Sequence, residues 1–180
     1  PALGKIGDVS RTNSIAALPL YHIFALTLSL LTIRWGAYMT LIPNPRDVPG
    51  FIATLRRRPF HLLPAVNTLF NALLNERWFT DSPPKHLRAS AAGGMALHES
   101  VSERWRKVTG TPIVEGYGLT ESSPVLTFNP LNGGGKDGTI GIPVPSTMVK
   151  CVADDGSEVA IGEPGELLAW GPQIMQGYWN

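Results

Sequence analysis

Cysteine and charge imbalance are what this sequence has least of. Cys151 is its one cysteine, so no internal disulfide can form. Nothing near it resembles a metal-ligand cluster, and the pattern suits a reducing compartment such as cytosol, with Cys151 as a structural residue. Fifteen Lys and Arg against 14 Asp and Glu leave a net charge of +1. That is no basic field for holding a polyanion, which argues against a nucleic-acid polymer as the main partner. Repeats and low-complexity tails are missing too. One long apolar run exists, Ile15 to Ile33, about the length that crosses hydrocarbon. Pro19 interrupts it and Tyr21 and His22 add polar groups, so it reads as a buried strand, a loop and a helix. Both ends read as cut. Pro1 opens the chain without Met or a leader, and Gln176-Gly177-Tyr178-Trp179-Asn180 has no terminating composition.

What remains is an alternation of strand and helix signals over 180 residues, enough to bury a core in one domain or two units. Ile15–Leu20 predicts a strand and Ile23–Trp35 a helix, apolar all round and therefore expected to be buried on most faces, with Gly36 as its stop. Met39–Ile42 predicts a strand. Asn44-Pro45-Arg46-Asp47 then predicts a helix capped by Asn44 and running to about Arg57. Phe60–Leu63 and His86–Ala91 read as strands. Val66, Leu69, Phe70, Leu73 and Leu74 repeat at helical spacing, and so do Leu97, Val101, Trp105 and Val108, each set a core stripe. Ile113-Val114 starts a further strand. The expected class is α/β, a parallel sheet flanked by helices over residues 1–130. The composition changes after Pro130. A glycine-rich loop at 132–135 leads into a small β-rich unit over 131–180, with strands at Met148–Val152 and Gly165–Trp170.

Chemistry concentrates in Glu115-Gly116-Tyr117-Gly118-Leu119-Thr120-Glu121. Tyr117 offers a flat face to a base, and Gly116 and Gly118 let backbone approach a ligand closely. Thr120 can donate to a phosphate oxygen, and Glu121 can hold Mg2+ through oxygen. Taken alone, the segment suits an ordinary strand-to-helix turn equally well. Its companions change the reading. Pro19-Leu20-Tyr21-His22, Ala92-Gly93-Gly94-Met95, Tyr117 to Glu121, Gly138-Thr139-Ile140-Gly141-Ile142-Pro143 and Gly165-Glu166-Leu167 follow one another in an order and spacing that resembles the adenylate-forming enzymes. Leu18 to Thr27, Asn44 to Asp47 and Val66 to Leu73 are most similar to the long-chain fatty-acid CoA ligases of bacteria.

The resemblance implies an acid-thiol ligase, with ATP, Mg2+ and coenzyme A. A fatty carboxylate would attack the alpha phosphorus of ATP, pyrophosphate would leave, and the coenzyme A thiol would attack the acyl adenylate. By the same resemblance Tyr117 stacks on adenine, Gly94, Met95, Glu115 and Gly116 line the base, and Gly118 belongs to the same nucleotide-binding set. Thr120 holds a phosphate oxygen, Glu121 carries Mg2+, and His22 sits beside the acyl and phosphate groups in binding or gating. Glu166 is structural. The family's phosphate loop, ribose-binding Asp, hinge and catalytic Lys have no counterpart among these residues, so the chain alone is expected to form no acyl adenylate. The resemblance also implies a cytoplasmic enzyme that meets fatty acids at the inner face of a membrane. Two other readings stay open: adenylation of another acid, as in aryl-CoA ligases or peptide-synthetase units, and a noncatalytic nucleotide-binding module.

Overall fold

A computed structural model of the chain describes residues 9–130 and 134–179. Residues 131–133, which include the start of the glycine-rich loop, and both chain ends lie outside the described residues. Among the described residues, nine strands and five α-helices follow in order: β1 (Asn13–Ala16), α1 (Ile23–Arg34), β2 (Tyr38–Leu41), α2 (Val48–Arg57), β3 (Leu62–Ala65), α3 (Asn67–Leu74), α4 (Arg77–Asp81), β4 (Ala89–Ala92), α5 (Glu99–Thr109), β5 (Ile113–Tyr117), β6 (Thr127–Phe128), β7 (Ile142–Pro143), β8 (Met148–Val152) and β9 (Glu166–Trp170). Seven of the strands form one sheet in the order β2-β1-β3-β4-β5-β6-β7, and β8 pairs with β9 as a separate hairpin. Pairing is parallel from β2 to β5 and antiparallel where β6 and β7 extend the edge. The expected α/β sheet is therefore present. Its far edge is mixed, because Ile142–Pro143 lies beyond the compositional change at 130 and still joins this sheet.

The chain moves one way from β1 to β2 and the other way from β3 to β5. Right-handed crossovers then put α1 on one face and α2, α3 and α5 on the other. Side chains alternate along each strand, and the second face takes the bulky ones. Ile15, Leu63, Ala65 and Ile113 pack there with Phe70, Phe79 and Trp105. Trp105 is fully buried, with ring centroids 4.8 Å from Phe70 and 5.1 Å from Phe79. The α5 stripe read from spacing is this core: Val101 and Trp105 are in it, and Leu97 and Val108 pack against it.

Several boundaries differ from those read in the sequence. β1 begins at Asn13 and ends at Ala16, so Ala17–Leu20 belongs to a loop. His61 extends this pairing, its Nδ1 accepting from the Asn13 N–H at 3.0 Å. Helix α2 is capped by Asp47, whose Oδ1 accepts from the Gly50 N–H at 3.1 Å. Asn44 instead turns back on Arg46 N–H at 3.1 Å, the local bond that short amide side chains favour in turns. Helix α1 is the largest departure. Just Ala25 and Thr32 of its residues are buried, while Leu30 is 57% and Ile33 75% exposed. Its apolar outer face has no partner among the described residues, and its inner face stands over small side chains.

Candidate functional site

Three loops converge at the carboxyl ends of the parallel strands: 17–22 after β1, 93–98 after β4 and 118–126 after β5. That end of an open α/β sheet, near the point where the strand order reverses, is where a crevice forms. The loops enclose a cavity of about 270 Å³ whose wall carries His22, Gly94, Gly116, Tyr117, Gly118, Thr120 and Glu121. These positions lie up to 99 residues apart in sequence, from His22 to Glu121. Two of the residues singled out in the sequence are elsewhere. Met95 is half exposed and off this wall. Glu115 turns its carboxylate to accept from the Gly138 N–H at 3.1 Å and borders a different cavity, beside Arg106 and Lys136.

Local folding explains the presentation of each group. Tyr117 ends β5 and pairs with Thr127 of β6, which holds its backbone in extended form. Gly118 follows, and a side chain there would collide with the carbonyl of Pro124. The close approach that demands glycine at 118 is thus made to the chain itself. Gly94 has a φ of 80°, a left-handed conformation that glycine takes without penalty. Thr120, Glu121 and Ser122 form a single tight 3-10 turn. Ser122 is buried and pins that turn: its hydroxyl accepts from the Leu119 N–H at 2.9 Å and donates to the Pro124 carbonyl at 2.8 Å. His22 caps α1, its Nδ1 accepting from the Phe24 N–H at 3.3 Å. A neutral ring therefore carries its proton on Nε2 and offers the cavity a donor.

Glu121 is held from 57 residues away, by Tyr178, whose hydroxyl donates to Oε1 at 2.7 Å. This bond keeps the Glu121 carboxyl below the usual carboxylate range, helped by a backbone bond, and it raises the Tyr178 phenol. The Met175 N–H also donates to the Glu121 carbonyl at 2.9 Å. Two residues earlier, the Gln173 amide donates to the Val125 carbonyl at 3.2 Å and to the Thr147 hydroxyl at 2.7 Å. Residues 173–178 thus strap the 120–125 turn from outside. No cluster of three His, Cys, Asp or Glu side chains that could hold a metal occurs among the described residues. One ionised carboxylate in an oxygen-lined turn fits Mg2+, which keeps several waters and completes its shell on phosphates.

A second cavity, of about 370 Å³ and almost wholly apolar, lies between α1 and the sheet. Phe24, Pro124, Val125 and Phe128 belong to the walls of both cavities. A Cβ added to Gly93 would stand 3.4 Å from the Phe24 ring, so that ring lies over Gly93 at the junction. None of these four has a site signal in the sequence. Phe24 reads as one more apolar helix residue, and Pro124, Val125 and Phe128 carry no motif of their own.

The comparisons with known proteins agree with this geometry. The model of the AMP-binding enzyme family matches residues 4–179. A long-chain-fatty-acid CoA ligase of Haemophilus influenzae is 51% identical over 177 residues, 97% of this chain and 32% of the relative. Its namesake in Escherichia coli O157:H7 is 52% identical over 167 residues, 92% of this chain and 30% of the relative. The chain thus spans about a third of the length of these curated relatives. Among solved structures, ATP-bound MatB from Rhodopseudomonas palustris superposes with a TM-score of 0.85 at 26% identity, over 98% of this chain and 35% of that one. The o-succinylbenzoate coenzyme A synthetase MenE of Bacillus subtilis, in complex with ATP and magnesium ion, gives 0.83 at 27% identity, over 99% and 37%. The chain belongs to the family of AMP-binding, adenylate-forming enzymes.

Proposed function

We propose that these residues form part of a long-chain fatty-acid CoA ligase and that the two joined cavities hold its acyl adenylate. The junction at Phe24 carries the reading. A cavity that carries the polar groups of Tyr117, Thr120, Glu121 and His22 on its wall opens directly beside an almost wholly apolar one, the pairing that an adenylate with a hydrocarbon tail requires. In this reading adenine lies against Tyr117, with Gly94, Gly116 and Gly118 around the base and Met95 and Glu115 outside this cavity, and Thr120 donates to a phosphate oxygen. Glu121 holds Mg2+, which offsets the negative charge of the triphosphate as the carboxylate approaches. Tyr178 orients the Glu121 carboxylate, and the Nε2 proton of His22 is presented to the acyl carboxylate or a phosphate oxygen. Oriented donors and excluded water supply most of the acceleration, because a carboxylate is a weak nucleophile near an anion.

Coenzyme A is the second acceptor. The enzyme works in the cytoplasm and meets fatty acids by reversible contact with the inner membrane face. No helix among the described residues is long and apolar enough to cross a membrane. The division into an α/β portion to residue 130 and a β-rich unit beyond it is part of the same proposal.

Pyrophosphate release by the full-length protein with ATP, Mg2+ and a panel of acids tests this. Oleate is expected to support release and, with coenzyme A, oleoyl-CoA formation. Replacement Glu121→Ala is expected to slow adenylation roughly hundredfold with its thermal transition retained. Release with an aryl or amino acid in place of oleate would move the protein to another branch of the family. No release with any acid, alongside measurable nucleotide binding, would favour the noncatalytic module.

A further inference from the structure

The apolar cavity has a direction. Phe24, Thr27, Leu28, Leu31, Thr32 and Trp35 all line it, and their spacing of three and four residues makes one continuous stripe along the inner face of α1. At 1.5 Å per residue the stripe from Phe24 to Trp35 is about 16 Å long. Its first residue also borders the cavity of Tyr117 and Glu121. Its last is the residue that ends α1, after which Gly36, at a φ of 63°, turns the chain back toward β2. Opposite the stripe stand Ser14, Leu62 and Ala89, which share one register across β1, β3 and β4. They mark the amino ends of the strands, the end remote from the polar cavity. Polar groups on the stripe are internally satisfied where they are most buried: the Thr32 hydroxyl donates to the Leu28 carbonyl at 2.8 Å. Small residues Ala89 and Ala91 leave the space open.

We infer that Trp35 is the stop that sets acyl chain length in this enzyme, with the α1 stripe as its ruler. The inference rests on the fatty-acid reading above and adds to it a named specificity residue. An extended hydrocarbon of C–C bonds near 1.5 Å advances about 1.25 Å per carbon. About 13 carbons therefore fit along α1, and the carbons nearest the carboxylate lie in the polar cavity. Trp35 carries the largest side chain on the stripe and stands at the end remote from Tyr117 and Glu121, so a longer chain meets the indole. One helical turn, about 5.4 Å, corresponds to about four carbons.

The test is a chain-length series from decanoate to docosanoate on the full-length protein, with kcat/KM measured for each acid. For Trp35→Ala the optimum is expected to move up by about four carbons. The ratio of docosanoate to dodecanoate kcat/KM should rise about tenfold or more, the scale of a few methylenes in an apolar pocket. Leu31→Trp, one turn nearer the junction, is expected to move the optimum down by a similar amount. Trp35→Leu replaces the indole with a smaller apolar group should the alanine variant fail to fold, and it shifts the profile in the same upward direction. Unchanged length profiles in folded Trp35 and Leu31 variants would overturn the ruler while leaving the fatty-acid reading intact. A wild-type protein that activates no fatty acid of any length would instead remove the substrate reading, and the ruler with it.

Discussion

The two faces of the central sheet were built for different purposes, and the contrast shows where this sequence invests its bulk. Under α2, α3 and α5, strand residues Ile15, Leu63, Ala65 and Ile113 meet Phe70, Phe79 and Trp105, and all seven are buried. Under α1, the same strands present Ser14, Pro64, Ala89 and Ala91, and a cavity of about 370 Å³ remains. Alternation along β4, Ala89-Ser90-Ala91-Ala92, puts small residues on both faces, but Trp105 lies against one and space against the other. A packed face supplies stability, and an unfilled apolar face supplies a binding site.

Mutations should separate the two. The largest effect is expected for Trp105→Ala, which removes the centre of the aromatic cluster and should cost about 3–5 kcal/mol. Leu30→Ala on the outer side of α1 should cost about 0.5 kcal/mol or less. Urea midpoints of the full-length protein check both. Comparable losses would mean that α1 is as firmly packed as α5. Next is a pair of enlargements. Ala65→Leu, on the packed face where Ala65 is fully buried, should destabilise by about 1–3 kcal/mol through overpacking. Ala91→Leu, facing the cavity, should leave the midpoint nearly unchanged yet lower activity with oleate more than with a short acid. A destabilisation of the same size at both positions would show that the cavity is not open space.

The site itself admits a subtler test. Tyr178→Phe removes the bond that holds the Glu121 carboxyl below its ordinary range, so the Glu121 titration should move upward toward the usual carboxylate value, followed by carboxyl NMR. The smallest expected effect lies at the amino end of β3, on His61. Its folded pKa is lowered first by burial and then by Arg88 and His86, and its neutral Nδ1 accepts from Asn13 N–H. A depressed value means that the contribution is complete above the unfolded value near 6.5 and is lost as pH falls through the folded one. Denaturation midpoints across that window should decline in the wild type and flatten in His61→Asn, which keeps an acceptor that does not titrate. A parallel decline in both would assign the effect to other groups.

Periodicity was enough to find the packed face. Val101, Trp105 and Val108 repeat at helical spacing and all pack where that spacing puts them. The open face was harder, because an apolar run does not reveal whether its neighbours are large. Helix α1 therefore reads as buried all round, and only the small residues of β4, brought beneath it by pairing, explain the space. Seven site residues were legible because they cluster in short turns with special chemistry: His22, Gly94, Gly116, Tyr117, Gly118, Thr120 and Glu121. Glu115 shares their motif, yet its carboxylate accepts from the Gly138 N–H, a loop contact that the motif does not announce. Tyr178 and the junction residues act through tertiary contacts that no local pattern encodes, whereas Ser122 acts through bonds within its own turn. The five-residue α4 is too short for a periodic signal.

The most direct test of the joined cavities is a crystal structure of the full-length protein with a nonhydrolysable oleoyl-adenylate analogue. The expected result has adenine against Tyr117, the phosphate-like group beside Thr120, and the hydrocarbon passing Phe24 to run between α1 and Ala89–Ala91 toward Trp35. A hydrocarbon bound anywhere else, with the space under α1 filled by protein, would contradict the account.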